Sequence, residues 1–287
     1  GLFAVFLTFN IQQKERTFMK RYSLFSSLGL VFCATLFSGE LAPQKLDDWT
    51  GYALEHFLKE KDGVISTKRR HIDIDSRASI KIDPKRTYVV SGSFRRLPGS
   101  ENKPLRISFG IAPCNAAGQR ILNTYINPYP GTETELSRDA AKGDRAIYVK
   151  DASKWNKGRW NSTVFDCKAD GSDLPNDKVS TIITSIRKHG DEWQITFRKA
   201  LTQAYRKGTP VRQHFASNKP FICAAIAAAK DLPAEWTEFS GEVTGILPQG
   251  RQTYSQFWHG TVSARIRIDA AGDIEFKNIS LKEKQTK

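Results

Sequence analysis

The sequence predicts an all-β protein, and three observations support this fold class. Apolar and polar residues alternate with a period of two in most segments, as in strands that bury one face. Turn-forming pairs such as Pro98-Gly99, Pro130-Gly131 and Gly272-Asp273 separate these segments. Only one short segment has a helical pattern. Short strands joined by frequent turns indicate a sandwich or a barrel.

The predicted strands follow one another from Ile72 to Phe276. Each has apolar residues at every second position: Ile72, Ile74; Ile80, Ile82; Tyr88, Val90; Ile107, Phe109, Ile111; Ile147, Val149; Trp193, Ile195, Phe197; Val262, Ala264, Ile266, Ile268; Ile274, Phe276. Phe221–Ala229 is rich in alanine, which favours helix, but its length between polar turns suits a buried strand, which we predict. Gly51–Lys59 has a weak amphipathic pattern and is predicted to be a short helix.

Residues 137–214 have the pattern of a separate unit. Its features in order are the turn Gly143-Asp144, the strand Arg145–Lys150, a tight turn around Trp155, the strand Trp160–Phe165, a hairpin of Val179–Arg187 with Glu192–Arg198, and a closing segment with Leu201, Gly208 and Val211. This order resembles a small β module of secreted and phage-associated bacterial proteins. The resemblance implies a structural unit without a catalytic residue.

The flanking segments carry a second resemblance. Pro84–Phe94, Trp236–Gly241 and Gly272–Leu281 are similar, in this order, to three strands of carbohydrate-binding modules built on the galactose-binding-like jelly roll. The resemblance implies a β-sandwich that binds carbohydrate. That family usually has an aspartate where Asn278 stands, so a structural calcium ion is not supported and we expect no cofactor.

These two resemblances together predict the domain organisation. Residues 39–136 and 215–287 would form one discontinuous jelly-roll sandwich, and residues 137–214 would be a small β module inserted into it. The chain would cross between them at Gly131–Glu135 and at His214–Pro220. An insertion at a surface loop disturbs a domain little, because entry and exit lie close together there.

Residues 1–38 are predicted to be upstream sequence followed by a secretory signal. We expect translation to start at Met19, after which Lys20 and Arg21 precede the fourteen-residue apolar stretch Leu24–Phe37 and the small residue Ser38. This stretch is short for a membrane span. The alternative, an anchor formed together with the apolar residues 2–11, is interrupted by charge at residues 12–16. We therefore expect export to the periplasm, the cell surface or the medium, with no membrane contact after cleavage.

The net charge favours anionic partners. Forty-four Lys and Arg against thirty Asp and Glu give +14, and loss of residues 1–38, with four basic and one acidic side chain, leaves +11. The basic residues are spread along the chain, with one dense run at Lys68–His71, and an exported protein seldom meets nucleic acid. We therefore expect a polysaccharide partner, with acidic polysaccharide a candidate, and no nucleic acid. Lys68–His71 is a candidate loop for holding a polyanion.

Sugar recognition combines a ring that stacks on an aromatic side chain with guanidinium groups that hold a carboxylate or sulfate. Aromatic residues near basic residues in loops are therefore candidates, and the predicted ligand-binding residues are Arg95, Arg96, Tyr129, Tyr254 and Trp258. The alternatives are a core position for Trp258 and a solvated strand edge for the two arginines. Trp155, Trp193 and Trp236 are predicted to be core residues.

No catalytic or metal-binding residue is predicted. The carboxylate pairs considered are Asp73 with Asp75, Glu133 with Glu135, and Asp170 with Asp173. The first two pairs have strand spacing, which puts both groups side by side on one face, whereas glycoside hydrolysis needs carboxylates on opposite sides of a bond. G-x-S-x-G is absent, and Cys114, Cys167 and Cys223 lack metal-site spacing. The favoured hypothesis is an exported, non-catalytic carbohydrate-binding protein. An exported structural or protein-interaction sandwich is the alternative, and a polysaccharide-degrading enzyme is less favoured.

Overall fold

The computed structural model describes residues 40–52, 58–67, 71–158, 160–215, 220–229, 232–247 and 254–285. These ranges contain eighteen strands and two short 3-10 helices, Leu46–Asp48 and Asn123–Tyr125. The strands are β1 (Glu40–Leu41), β2 (Trp49–Tyr52), β3 (Leu58–Lys61), β4 (Val64–Thr67), β5 (His71–Ser76), β6 (Ile80–Lys81), β7 (Tyr88–Arg96), β8 (Arg106–Cys114), β9 (Thr134–Glu135), β10 (Ala146–Val149), β11 (Asn161–Phe165), β12 (Val179–His189), β13 (Glu192–Phe197), β14 (Pro210–Phe215), β15 (Ile222–Ile226), β16 (Thr237–Val243), β17 (Ser263–Ala271) and β18 (Ile274–Glu283). The all-β prediction is confirmed.

The strands form three antiparallel sheets of six strands each. The first sheet has the order β15-β8-β17-β5-β2, with β6 also paired to β17. The second has the order β16-β7-β18-β4-β3, with β1 paired to β18, and the third has the order β10-β13-β12-β11-β14-β9. The strands of the first two sheets precede β9 or follow β14, so both sheets combine distant parts of the chain. The third sheet is built from residues 134–215 alone.

The main hydrophobic core lies between the first and second sheets. The Phe94 ring of β7 lies 4.8 Å from the Phe109 ring of β8, and Trp49 of β2 makes an edge contact with Phe276 of β18 at 5.8 Å between centroids. All four side chains are fully buried. Burying a side chain of this size contributes about 1.5 to 3 kcal/mol, so these contacts hold the two sheets face to face.

The third sheet has a core of its own. Ile147, Ile195 and Val211 are buried in a cluster that shares no member with the main core. Phe165 stacks on Tyr205 in the same cluster, with ring centroids 3.8 Å apart and planes within 9°. The hydrophobic residues of these strands therefore pack on one another.

The helix predicted at Gly51–Lys59 is not formed at either end of this segment, so the prediction is wrong there. Gly51 belongs to β2 and Leu58 begins β3, while residues 53–57 lie outside the described residues. Gly51 has φ 140°, which a helix does not allow, and a Cβ there would lie 2.2 Å from the carbonyl oxygen of Asp73 in the neighbouring strand. Pairing with β5 therefore overrides the weak helical pattern. The strand predicted within Phe221–Ala229 is confirmed as β15.

The three cysteines of the described residues are free thiols, two buried and one, Cys167, partly exposed. Burial raises the pKa of the Cys114 thiol to about 11 and that of the Cys167 thiol to about 12. No helix in the described ranges has the length and hydrophobicity needed to cross a membrane.

Candidate functional site

Among the described residues, one large aromatic side chain lies on the outer face of the second sheet. In β16, Phe239 packs against the main core and Val243 is part of it, so the alternate residues Glu238 and Ser240 point away from the core. Trp236, just before the strand, has the same parity and is half-buried. Its indole therefore lies on the outer surface of the sheet.

Two cations contact this indole. The guanidinium carbon of Arg95 lies 4.6 Å from the ring centroid of Trp236, and the Nζ atom of Lys277 lies 4.3 Å from it. Arg95 also forms a 2.6 Å ion pair with Glu275, its partner across β7 and β18. Trp236, Arg95, Lys277 and Glu275 are called the outer-face patch below.

Electrostatics hold the outer-face patch in place. The Glu275 side chain is only 14% exposed and that of Arg95 29% exposed, so their ion pair is screened less than one at the open surface. The ion pair and the ring contact together fix the guanidinium plane. Within the described part of the chain no carboxylate pairs with Lys277, so its positive charge is available to a ligand.

A strip of small side chains lies beside the outer-face patch. Ser240, Ser91 and Ser280 stand opposite one another on three adjacent strands, and the hydroxyls of Ser91 and Ser280 are 3.1 Å apart. Ser93 continues this strip towards Lys277, its cross-strand partner. The small serines lie lower than the Trp, Arg and Lys side chains beside them. This surface therefore has a shallow trough with hydroxyl groups on its floor. Lys277 and the exposed Glu238 border it as the cross-strand partners of Ser93.

Two of the predicted ligand-binding residues are buried, which corrects their assignment to an accessible site. Arg96 is 8% exposed, and its guanidinium donates to the carbonyl oxygens of Ser100 and Lys103, so it holds the loop after β7. Trp258 is 0% exposed and belongs to the main core. Successive side chains of a strand point to opposite faces, so Arg95 lies on the outer face of β7 and Arg96 points inward.

The other predicted residues lie in different places. Tyr129 is half-buried against Phe215 of β14, with ring centroids 5.9 Å apart. Tyr254 is 47% exposed in the segment between β16 and β17. Only Arg95, on β7, belongs to the outer-face patch. Residues 68–70 of the predicted polyanion loop lie outside the described residues, and His71 pairs with Asp269 at 3.1 Å.

The sequence prediction placed Trp236 in the core and did not select Lys277. A signal for both was present. In β16 the apolar residues Phe239 and Val243 have odd numbers, whereas the polar residues Glu238, Ser240 and Glu242 have even numbers. Even-numbered residues of this strand are therefore expected on the outer face, and Trp236 is one of them. In β18, Ile274 and Phe276 give Lys277 the outward parity in the same way.

The predicted carboxylate pair Asp73 and Asp75 lies on the outer face of the first sheet. Both carboxylates form ion pairs with Arg267, whose side chain is 3% exposed. Burial raises the pKa of both aspartates, and the nearby guanidinium of Arg267 opposes this rise. The two carboxyl groups lie side by side on one arginine, so they do not have the opposed geometry of a glycosidase.

No group of three or more His, Cys, Asp or Glu side chains in the described ranges is arranged to hold a metal ion. Comparisons of the chain with protein-family models, with curated proteins and with solved structures found no match.

Proposed function

We propose that this protein binds carbohydrate without transforming it, with a preference for acidic polysaccharide, on the outer face of the second sheet. The observation that carries the proposal is the half-buried indole of Trp236 on this outer face, with Arg95 and Lys277 in contact with its ring. An indole offers an apolar surface for a sugar ring, and Lys277 beside it can form a charge-assisted hydrogen bond with a uronate or sulfate.

The serine trough supports an extended ligand. Its floor of hydroxyl groups can donate and accept hydrogen bonds, as sugar hydroxyls require. It crosses three strands, so it spans about 10 Å. In this proposal the protein acts outside the cytoplasm, as the signal-like segment Leu24–Phe37 suggests.

Replacing Trp236 tests the proposal. Trp236→Ala should weaken the binding of the polysaccharide that the wild type binds best about tenfold, because the apolar surface of the indole is lost and Arg95 and Lys277 lose the ring that they contact. The measurement is affinity gel electrophoresis of the full chain in dextran, polygalacturonate and dextran sulfate at low and high salt. Retardation by stacking should persist at high salt, whereas retardation by net charge should disappear.

Val262→Ala is the control, because it removes part of an exposed apolar side chain outside the outer-face patch and outside the predicted ligand-binding residues. It should leave retardation unchanged, and both variants should keep the wild-type unfolding midpoint. The proposal is wrong if none of the three polysaccharides retards the wild type, or if Trp236→Ala is retarded as strongly as the wild type.

A further inference from the structure

The third sheet carries a second group of cations around an aromatic ring. Residues 134–215 contain sixteen Lys and Arg against ten Asp and Glu, a net charge of +6. Tyr148 of β10, Gln194 of β13 and Arg187 of β12 are cross-strand neighbours, so they form one row across three strands. Three strands span about 10 Å.

This row points away from the core of the third sheet. Ile147 and Ile195, next to Tyr148 and Gln194 along their strands, are buried in that core, and side chains alternate between the two faces of a strand. Arg187 is exposed, as is Lys188 beside it. Neither cation forms an ion pair with any described residue.

Contacts among side chains position Arg138, Tyr148 and Gln194 before any ligand binds. The guanidinium of Arg138 lies 4.1 Å from the Tyr148 ring centroid, and its Nε and Nη2 atoms each donate to Oε1 of Glu192 at 3.2 Å. Ser137 donates its hydroxyl to the same carboxylate at 2.8 Å, and these contacts lower the pKa of Glu192. Gln194 donates to the Tyr148 hydroxyl at 2.9 Å. A site ordered in this way loses less entropy when it binds.

We propose that Arg138, Tyr148, Gln194 and Arg187 form a second binding site for the charged groups of acidic polysaccharide. The ligand class rests on the proposed function. This site differs from the outer-face patch in that its two arginines are exposed, so its binding depends on charge and is screened by salt. Two sites on one chain would hold a long polysaccharide more tightly than either site alone.

The test compares two double variants of the full chain that remove the same charge from the third-sheet unit. Arg138→Gln with Arg187→Gln removes the proposed site, whereas Lys142→Gln with Lys207→Gln removes two exposed cations outside it. Each is measured against dextran sulfate, with dextran as the uncharged probe. The arginine variant should bind dextran sulfate about tenfold more weakly at low salt and with a smaller salt dependence, because two charge-assisted contacts are lost. The lysine variant should bind nearly as the wild type.

Equal weakening in both double variants would overturn the second site, because only net charge would then matter. Equally tight binding of a single-stranded DNA homopolymer by the wild type would also overturn it, since the site would then not select carbohydrate. If Trp236→Ala loses binding while the arginine variant keeps it, the outer-face patch stands and the second site falls. The reverse result leaves the second site standing and overturns the outer-face patch.

Discussion

The protonation state of one buried histidine is set by its two neighbours. His214 of β14 is 0% exposed; its Nε2 atom lies 2.7 Å from Nε of Arg212 and its Nδ1 atom 2.6 Å from the carbonyl oxygen of Thr124. Arginine can only donate and a carbonyl can only accept, so Nδ1 carries the proton and Nε2 accepts. In its neutral form, His214 therefore connects β14 of the third sheet to Thr124, in the segment before that sheet.

The ring is costly to protonate. Burial lowers the pKa of His214 to about 4, and the positive charge of Arg212 acts in the same direction, although the hydrogen bond to Thr124 opposes it. Arg212 is itself buried and forms a 2.8 Å ion pair with Asp173. A second proton on His214 would replace the hydrogen bond from Arg212 with a repulsion between two cations.

His214 should therefore make the protein less stable in acid. Its pKa is about 4 in the folded protein and has the ordinary value of 6.5 in the unfolded chain. The stabilising contribution of the neutral ring is therefore complete above pH 6.5 and is lost as the pH falls towards 4. The loss between pH 7.5 and pH 4 is about 3 kcal/mol. Urea unfolding of the wild type at several pH values should show this decrease in the free energy of unfolding as the pH falls.

The side chain introduced by His214→Gln can still donate and accept a hydrogen bond but does not titrate. The free energy of unfolding of this variant should therefore depend less steeply on pH than that of the wild type. Comparing the two proteins removes the contribution of the carboxylates, which both contain. Asp73 and Asp75, whose pKa values are raised, favour the folded state as the pH falls and so have the opposite sign. Identical slopes in the two proteins would contradict this role of His214.

At the scale of the elements, β15 closes one edge of the sandwich. It pairs with β8 of the first sheet and also packs against β16 of the second. A Cβ on Gly110 would lie 1.9 Å from the carbonyl oxygen of Ile222, and one on Gly241 would lie 1.9 Å from that of Ala224. Glycine at both positions lets the backbone of β15 come this close to each sheet.

Gly110→Ala and Gly241→Ala should each lower the free energy of unfolding by about 2 to 3 kcal/mol, because the added methyl group meets backbone and not a movable side chain. Denaturant titration measures this. Ser240→Ala, an exposed position next to Gly241, is the control and should change stability by less than about 0.5 kcal/mol. If Gly110→Ala were as stable as the control, β15 would not be held against β8 as described.

At the scale of the whole molecule, the third sheet and the sandwich have separate cores. Their buried clusters share no residue. The hydrogen bonds between the third sheet and the segment before it include Tyr129 N to the Gln213 oxygen at 2.9 Å and Phe215 N to the Asn127 oxygen at 3.0 Å. Polar contacts of this kind contribute about 1 kcal/mol each, much less than a core.

Damage to one core should therefore affect mainly its own sheet. Phe197→Ala should cost about 3 to 5 kcal/mol in the third sheet and speed amide hydrogen exchange at Ile147 and Ile195, while exchange at Ile268 of the first sheet stays slow. Ile268→Ala should give the reverse pattern. Equal loss of protection in both sheets after Phe197→Ala would mean that they unfold as one cooperative unit.

The fold class and most strands follow from the amino-acid sequence alone, because a period of two in hydrophobicity is a local property of the chain. The sequence also contained the parity that exposes Trp236. The sequence pattern did not predict that Gly51 lies in a strand. That strand depends on pairing with β5, which lies about twenty residues further along the chain.

Which candidate residues share a surface depends on long-range strand pairing. Arg95 and Arg96 are neighbours with the same chemistry, yet one lies on the outer face and the other is buried under a loop. Arg95 meets Glu275 and Trp236 because β7 pairs with β18 and lies beside β16, strands that come more than 130 residues later. Alternation fixes which residues are on opposite faces of a strand, whereas long-range pairing and sheet packing determine which face is buried and which side chains meet there.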